Sequence, residues 1–181
     1  THTVEIVSQN PTGGVVNLAN PATAHFQNLR VLFISTFVSD VVVNGNLEVN
    51  FNAAGNLLAR RVTVGGSFTQ SGIGFFGPTR LTLLGSNLVT AGTLGPDTLE
   101  FAGTAPQTYP DLNFTSGRTV LVANDVTAPT GFASILNNLE IRSNGIFRLG
   151  TTGNVFNVGG TLRTVGTGVL VMTSPSTQMT A

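Results

Sequence analysis

From Phe26 onward, apolar and polar residues alternate in short triplets separated by turn residues. The triplets are Leu29-Arg30-Val31, Leu47-Glu48-Val49, Val62-Thr63-Val64, Leu81-Thr82-Leu83, Leu99-Glu100-Phe101, Leu112-Asn113-Phe114, Leu139-Glu140-Ile141 and Phe156-Asn157-Val158. A period of two is that of a strand with one face buried, so each triplet predicts a short strand with its outer residues inward and its middle residue outward. No stretch keeps an apolar stripe at helical spacing, because Gly, Pro, Asn and Thr interrupt wherever one begins, and almost no helix is expected. Before Phe26 the pattern is looser: Val4 and Ile6, then Val16 and Leu18, alternate between the turn signals Asn10-Pro11-Thr12-Gly13-Gly14 and Asn20-Pro21.

The triplets belong to a repeat. Val62 to Gly74 reads V-T-V-G-G-S-F-T-Q-S-G-I-G, and Phe156 to Gly168 reads F-N-V-G-G-T-L-R-T-V-G-T-G. Glycines Gly45, Gly66, Gly85, Gly103 and Gly160 follow strands at steps of roughly twenty residues or small multiples of that, which is the length of one coil of a β-solenoid. A single coil of this size buries too little apolar surface to offset the entropy of ordering it, so the coils must stack on a continuous core. The expected fold is therefore all-β, a parallel β-solenoid (β-helix) of roughly nine coils of about twenty residues. It is expected to be right-handed, as parallel crossovers are. Residues 1–25 are expected to form irregular coils or a cap, residues 26–173 the solenoid, and residues 174–181 a polar tail or linker. Within the solenoid two imperfect long repeats are read, about 26–108 and 109–173, the second with inserted corner residues near Ala128-Pro129-Thr130-Gly131.

Composition narrows the possible partners. Of 181 residues, 41% are hydrophobic and 9% charged, the reverse of a disordered chain, and the formal net charge is zero. All cationic side chains are Arg and none is clustered in a basic run, which argues against nucleic acid. With no Cys, neither a disulfide nor a thiolate metal site is expected. The longest apolar runs, such as Val31 to Ile34 and Val169 to Met172, fall far short of the ~20 residues that span a bilayer, so no membrane span is expected in this segment. The chain starts at Thr1 with nothing like a signal peptide, which is read as a removed leader or as one segment of a longer protein.

The run Leu99-Glu100-Phe101-Ala102-Gly103-Thr104-Ala105-Pro106-Gln107-Thr108, followed by Leu112-Asn113-Phe114, resembles the cadence of repetitive β-solenoid segments in large secreted bacterial surface proteins. The later V-A-N-D-V-T, G-I-F-R-L and V-G-G-T-L-R-T are similar to the rest of that cadence, and the likeness covers about Phe26 to Met172. The resemblance implies an adhesin-like or haemagglutinin-like structural segment, secreted or at the cell surface, with no catalytic residues to carry over. Its implied partners are other copies or further domains of the same surface protein, or extracellular glycans. The coil lengths here are irregular, unlike those of such segments.

Candidate chemistry is sparse. Gly72-Ile73-Gly74-Phe75-Phe76-Gly77 spells G-x-G-x-x-G, but that fingerprint works only where a strand meets a helix N-terminus, and Pro78-Thr79-Arg80 leads into another strand. It is read as a corner, and no cofactor is expected. His2 and His25 are the only histidines and lack clustered carboxylates, so no metal site is expected. Asp40, Asp97, Asp111 and Asp125 fall in or beside turns, where an aspartate bonds backbone N–H groups. Glu48, Glu100 and Glu140 take outward strand positions, a placement that suppresses sheet-to-sheet association. Outward Thr63 and Thr82 would suit ice binding only in a regular ladder, which the mixed Glu, Asn and Thr series opposes. Asn113-Phe114-Thr115 fits a glycosylation sequon inside an expected strand. The reading is a non-catalytic structural or adhesive segment whose only assigned positions are the corner glycines. Two alternatives stand beside it. A polysaccharide-binding or polysaccharide-cleaving β-helix would need carboxylates converging in a groove, and a β-sandwich binding module would need antiparallel pairing.

Overall fold

A computed structural model describes residues 2–7, 14–16, 23–32, 35–50, 56–58, 60–110, 118–128, 133–149, 155–172 and 178–180. Among them the regular structure is entirely β-strand, and every strand pairing is parallel. The chain is a parallel β-solenoid, and the antiparallel sandwich is excluded.

The first coils wind through three faces. Face 1 stacks Thr3–Ile6, Asn28–Val31, Leu47–Val49, Phe68–Gln70 and Asn87–Val89. Face 2 stacks Gly14–Val16, Ser35–Phe37, Asn56–Leu58, Phe75–Phe76 and Thr93–Leu94. Face 3 is the longest, running from Thr23–Phe26 through Asp40–Val43, Arg61–Val64, Arg80–Leu83, Thr98–Phe101 and Arg118–Val122 to Ala133–Ile141, then through Val155–Val158 to Gln178–Thr180. A fourth sheet, Gln107–Thr108, Asp125–Thr127, Ile146–Leu149 and Val169–Met172, follows face 3 strands in chain order as face 1 does in the earlier coils.

Like stacks on like inside. On face 3 the in-register columns Val41, Val62, Leu81, Leu99, Val120, Leu139 and Val43, Val64, Leu83, Phe101, Val122, Ile141 are all buried. Each such side chain is worth about 2 kcal/mol of burial, and each rung covers the one beneath. Aromatic residues fill the wider spaces: Phe68 and Phe76 have ring centroids 5.3 Å apart, and Tyr109 sits 5.8 Å from both Phe101 and Phe147.

The coil count differs from the expected nine. Face 3 carries its columns through six successive pairings, from Ala24 to Leu139, so the solenoid has about six regular turns. Dividing the length by twenty assumes equal coils, whereas the step runs from 17 residues (Ala24 to Val41) to 25 (Thr3 to Asn28). Beyond those turns a single strand, Ala133–Ile141, pairs with two successive ones, Val155–Val158 and Leu162–Thr164, and the simple columns end.

The repeat that stands out in the sequence is used in two ways. Gly65-Gly66 leads from face 3 to face 1, while Gly159-Gly160 separates two strands that share one partner strand. Gly45, Gly66 and Gly85 stack at one corner: Gly66 N–H donates to the Gly45 carbonyl at 2.8 Å, and a Cβ on Gly85 would run into the Gly66 carbonyl. Gly103 lies between Thr98–Phe101 and Gln107–Thr108, with Leu84 O and the Gln107 side chain where a Cβ would go. None of the five corner glycines has positive φ, a conformation found among described glycines only at Gly92 and Gly166. The corners need glycine because the neighbouring coil comes too close for a side chain.

Candidate functional site

The outward side of face 3 carries a cluster of charged side chains. In register along it stand Thr63, Thr82, Glu100, Leu121, Glu140 and Arg163. Glu100 was expected to be a solvated outward residue, yet it is only 7% exposed. The reason is its partners. Arg80 Nη2 donates to Glu100 Oε2 at 2.6 Å, Thr82 Oγ1 donates to the same oxygen at 2.9 Å, and Arg142 Nη1 donates to Oε1 at 2.8 Å. Arg142 also donates through Nε to Glu140 Oε1 at 3.0 Å, and Arg163 pairs with the other oxygen of Glu140. Burial pushes the Glu100 carboxyl up, but the hydrogen bonds from Arg80 and Thr82 and the charges of Arg80 and Arg142 outweigh it and leave the group below the ordinary carboxylate range. The Arg163 and Arg142 hydrogen bonds hold Glu140 low as well.

Beside this cluster lies a shallow depression of about 290 Å³, lined by Thr119, Leu121, Asn138, Glu140, Thr161 and Arg163. Its polar groups are engaged with one another: Asn138 Nδ2 donates to Thr119 Oγ1 at 3.3 Å, and Asn138 Oδ1 accepts from Thr161 N at 2.9 Å. On face 1, Arg30 bridges Glu5 and Glu48 at 3.0 and 3.1 Å. On the fourth sheet Arg148 grips both oxygens of Asp125 at 2.8 and 2.9 Å, which lowers the Asp125 carboxyl and raises the guanidinium. Arg118 pairs with Asp97. Asp40 accepts the backbone N–H of Arg61 at 3.2 Å, the kind of bond expected of a turn aspartate but made to the next coil.

Other positions resolve as follows. Gly72 to Gly74 forms a bend, Phe75–Phe76 is a face 2 strand whose second residue is in the core, and no helix follows, so the G-x-G-x-x-G run is part corner and part strand. His2 and His25 are exposed, and no three potential ligands converge among the described residues. Thr63 and Thr82 are neighbours, but Glu100 ends that run after two rungs. Leu112, Asp111 and the Asn113 sequon lie outside the described residues.

Two polar features escape pattern reading. Gln70 and Gln107 are fully or nearly buried. Gln70 takes the inward place above Val49, and its amide donates to Gly74 O at 3.1 Å and Thr93 O at 3.3 Å. Gln107 donates to Leu83 O at 3.0 Å and Gly85 O at 2.7 Å while accepting from Gly103 N and Asn124 Nδ2. Gly74 O and Leu83 O already accept the Thr93 and Ala102 N–H groups of the next coil, so each amide there adds a second bond to a corner carbonyl. Asn28 and Asn46 also climb the corner, each accepting through Oδ1 a backbone N–H one coil up, from Asn46 at 2.8 Å and Ser67 at 2.9 Å. The recurring Asn-Leu dipeptide, at Asn28-Leu29, Asn46-Leu47 and Asn138-Leu139, is the signal that could have revealed these bonds.

No family model, curated protein or solved structure matches this chain. Its chemistry therefore has to be read from its own surface. Two carboxylates, Glu100 and Glu140, do approach one another on one face, but Arg142 stands between them and both are held ionised. A general acid needs the opposite shift.

Proposed function

We propose that the chain is a non-catalytic structural or adhesive segment of a secreted bacterial surface protein. The observation that carries this reading is the arginine-held state of the carboxylates on face 3: Glu100 and Glu140 share Arg142, with Arg80 and Arg163 on their far sides. Such a network neutralises and stiffens a sheet surface, and it leaves neither carboxylate free to donate or abstract a proton at neutral pH. The rod-like stack, with its low charge and tight glycine corners, suits a spacer that presents a surface at a distance. The polysaccharide-cleaving alternative has less support: the two carboxylates that a shared arginine joins on one face are both held low in pKa, and a general acid needs the opposite shift.

Two measurements test the reading. Antibodies against the chain should label intact, unpermeabilised cells of the source organism, and labelling only after lysis would refute a surface location. Incubation with a panel of polysaccharides should release no new reducing ends; turnover on any of them would establish an enzyme instead.

A further inference from the structure

Among the described residues every arginine but Arg60 and Arg61 holds a carboxylate. These two stand side by side where the chain enters face 3, and both are exposed. Their backbone is pinned: the Arg60 carbonyl accepts the Arg80 N–H at 3.2 Å, and the Arg61 N–H donates to Asp40 Oδ1 at 3.2 Å. Arg61 is also in register with Arg80, whose guanidinium is turned to Glu100. Like charges side by side on a sheet destabilise it. Two cations that cost stability and join no ion pair are explained by a ligand that comes to them.

From Arg61 two outward columns run along face 3. One is Arg61, Arg80, Thr98, Thr119 and Asn138; the other is Thr63, Thr82, Glu100, Leu121 and Glu140. They lead to the depression of about 290 Å³ at Thr119, Asn138 and Thr161. A β-bulge shapes it, with Asn137 as the extra residue in the pairing. Thr161 is fixed beside the bulge, its N–H donating to Asn138 Oδ1 and its carbonyl accepting the Leu139 N–H at 2.8 Å. Gly160, just before it, lies too close to the Asn137 carbonyl for a side chain.

The hydrogen-bonding capacity left in this strip is rich in donors. Both oxygens of Glu100 and both of Glu140 already accept from arginines. The hydroxyls of Thr63, Thr98 and Thr161 make no bond among the described residues, Asn138 uses one amide hydrogen of two, and Thr119 accepts without donating. Such a strip suits a ligand with oxygens along its length and an anionic group at Arg60 and Arg61.

Spacing and composition select among anionic polymers. Arg61 and Asn138 are four coil steps apart, roughly 19 Å at the usual strand spacing. An extended peptide rises about 3.3 Å per residue and drifts out of step with the coils, whereas one sugar ring of an extended chain spans about one step. Nucleic acid needs a cation at each phosphate or aromatic rings to stack on, and the columns between Arg61 and Asn138 hold neither.

We propose that an acidic polysaccharide lies along face 3, one sugar per coil, with a uronate carboxylate on Arg60 and Arg61 and a ring in the depression. The inference rests on the adhesive reading and deepens it by naming the class of glycan.

Isothermal titration calorimetry with galacturonate oligomers tests it, against neutral galactose oligomers of the same lengths. The galacturonate pentamer spans the strip and should bind, with the galacturonate dimer and the neutral pentamer at least about tenfold weaker. Its affinity should fall as salt rises. Replacing both cations, Arg60→Gln with Arg61→Gln, should weaken the acidic pentamer at least about tenfold. The melting temperature of that variant should hold or rise, because a like-charge contact is gone, whereas a merely structural role would lower it. Should it misfold, Arg61→Gln alone takes its place. Arg30→Gln, on face 1, should leave binding unchanged. No binding of the acidic pentamer at millimolar concentration, equal affinity for the neutral one, or full affinity in the arginine variants would each overturn the proposal. An equal loss from Arg30→Gln would take the site off face 3 and overturn it too. Cell labelling bears on location alone: labelled cells without binding remove this site, and binding without labelling removes only the surface location.

Discussion

Arg142 reaches Glu100 across an intervening coil: 42 residues apart in sequence, they meet at 2.8 Å. Leu121 stands in register between Glu100 and Glu140 and is only 7% exposed although it points outward. The guanidinium thus ties two coils across the one between them on the outside of face 3, where the backbone ladder ties only neighbours.

Replacing Glu100 with Ala leaves two arginines without their shared acceptor. A loss of about 3 kcal/mol is expected, as for breaking a largely buried pair. Chemical denaturation checks it, and a loss near that of a surface pair, about 0.5 kcal/mol, would show that the network contributes nothing.

Glu48→Gln provides the contrast. Its pair with Arg30 is well exposed on both sides, so the change should cost no more than about 0.5 kcal/mol. Val64→Asp, at a position with 0% exposure, should remove the cooperative melting transition, because a buried unpaired charge costs several kcal/mol. A normal melt for the Val64 variant would contradict its place in the core column.

At the corner column, Gly85→Ala forces a methyl against the Gly66 carbonyl. Backbone cannot swing aside as a side chain can, so a loss of about 1–3 kcal/mol is expected. Gly77→Ala meets only the ring of Phe75 and should cost less. Thermal melts of the two variants side by side decide the order.

Stability should fall in acid. Glu100, Glu140 and Asp125 all titrate below their ordinary values in the folded chain, so as pH drops the unfolded chain takes up protons first. Their contribution is complete above about pH 5 and is lost as pH falls through and below about 4, the ordinary carboxylate range. Melting temperature against pH should show a plateau and then a decline, and Glu140→Gln with Asp125→Asn should flatten the decline. A melting temperature that rises on acidification would contradict the assignment.

Much of the fold was legible because a strand's period of two is written directly in triplets such as Val62-Thr63-Val64 and Leu139-Glu140-Ile141. Their inward and outward residues fall where the alternation puts them. A glycine in the sequence is compatible both with positive φ and with close approach of a neighbouring chain; at Gly45, Gly66 and Gly85 it is close approach, and that is a property of stacking. The buried amides of Gln70 and Gln107 were invisible, since a polar residue in an apolar position reads as outward until the carbonyls it bonds are in view.

The sequence by itself determined that the chain is made of short one-sided strands joined by tight corners, because alternation and turn chemistry act over a few neighbouring residues. Tertiary structure decided how many regular turns there are, that the two glycine-pair repeats serve different connections, and that Glu100 is enclosed by arginines from coils on either side. Those facts depend on which residues 17 to 25 positions apart come into register. Unequal corners shift that register in a way no local pattern records.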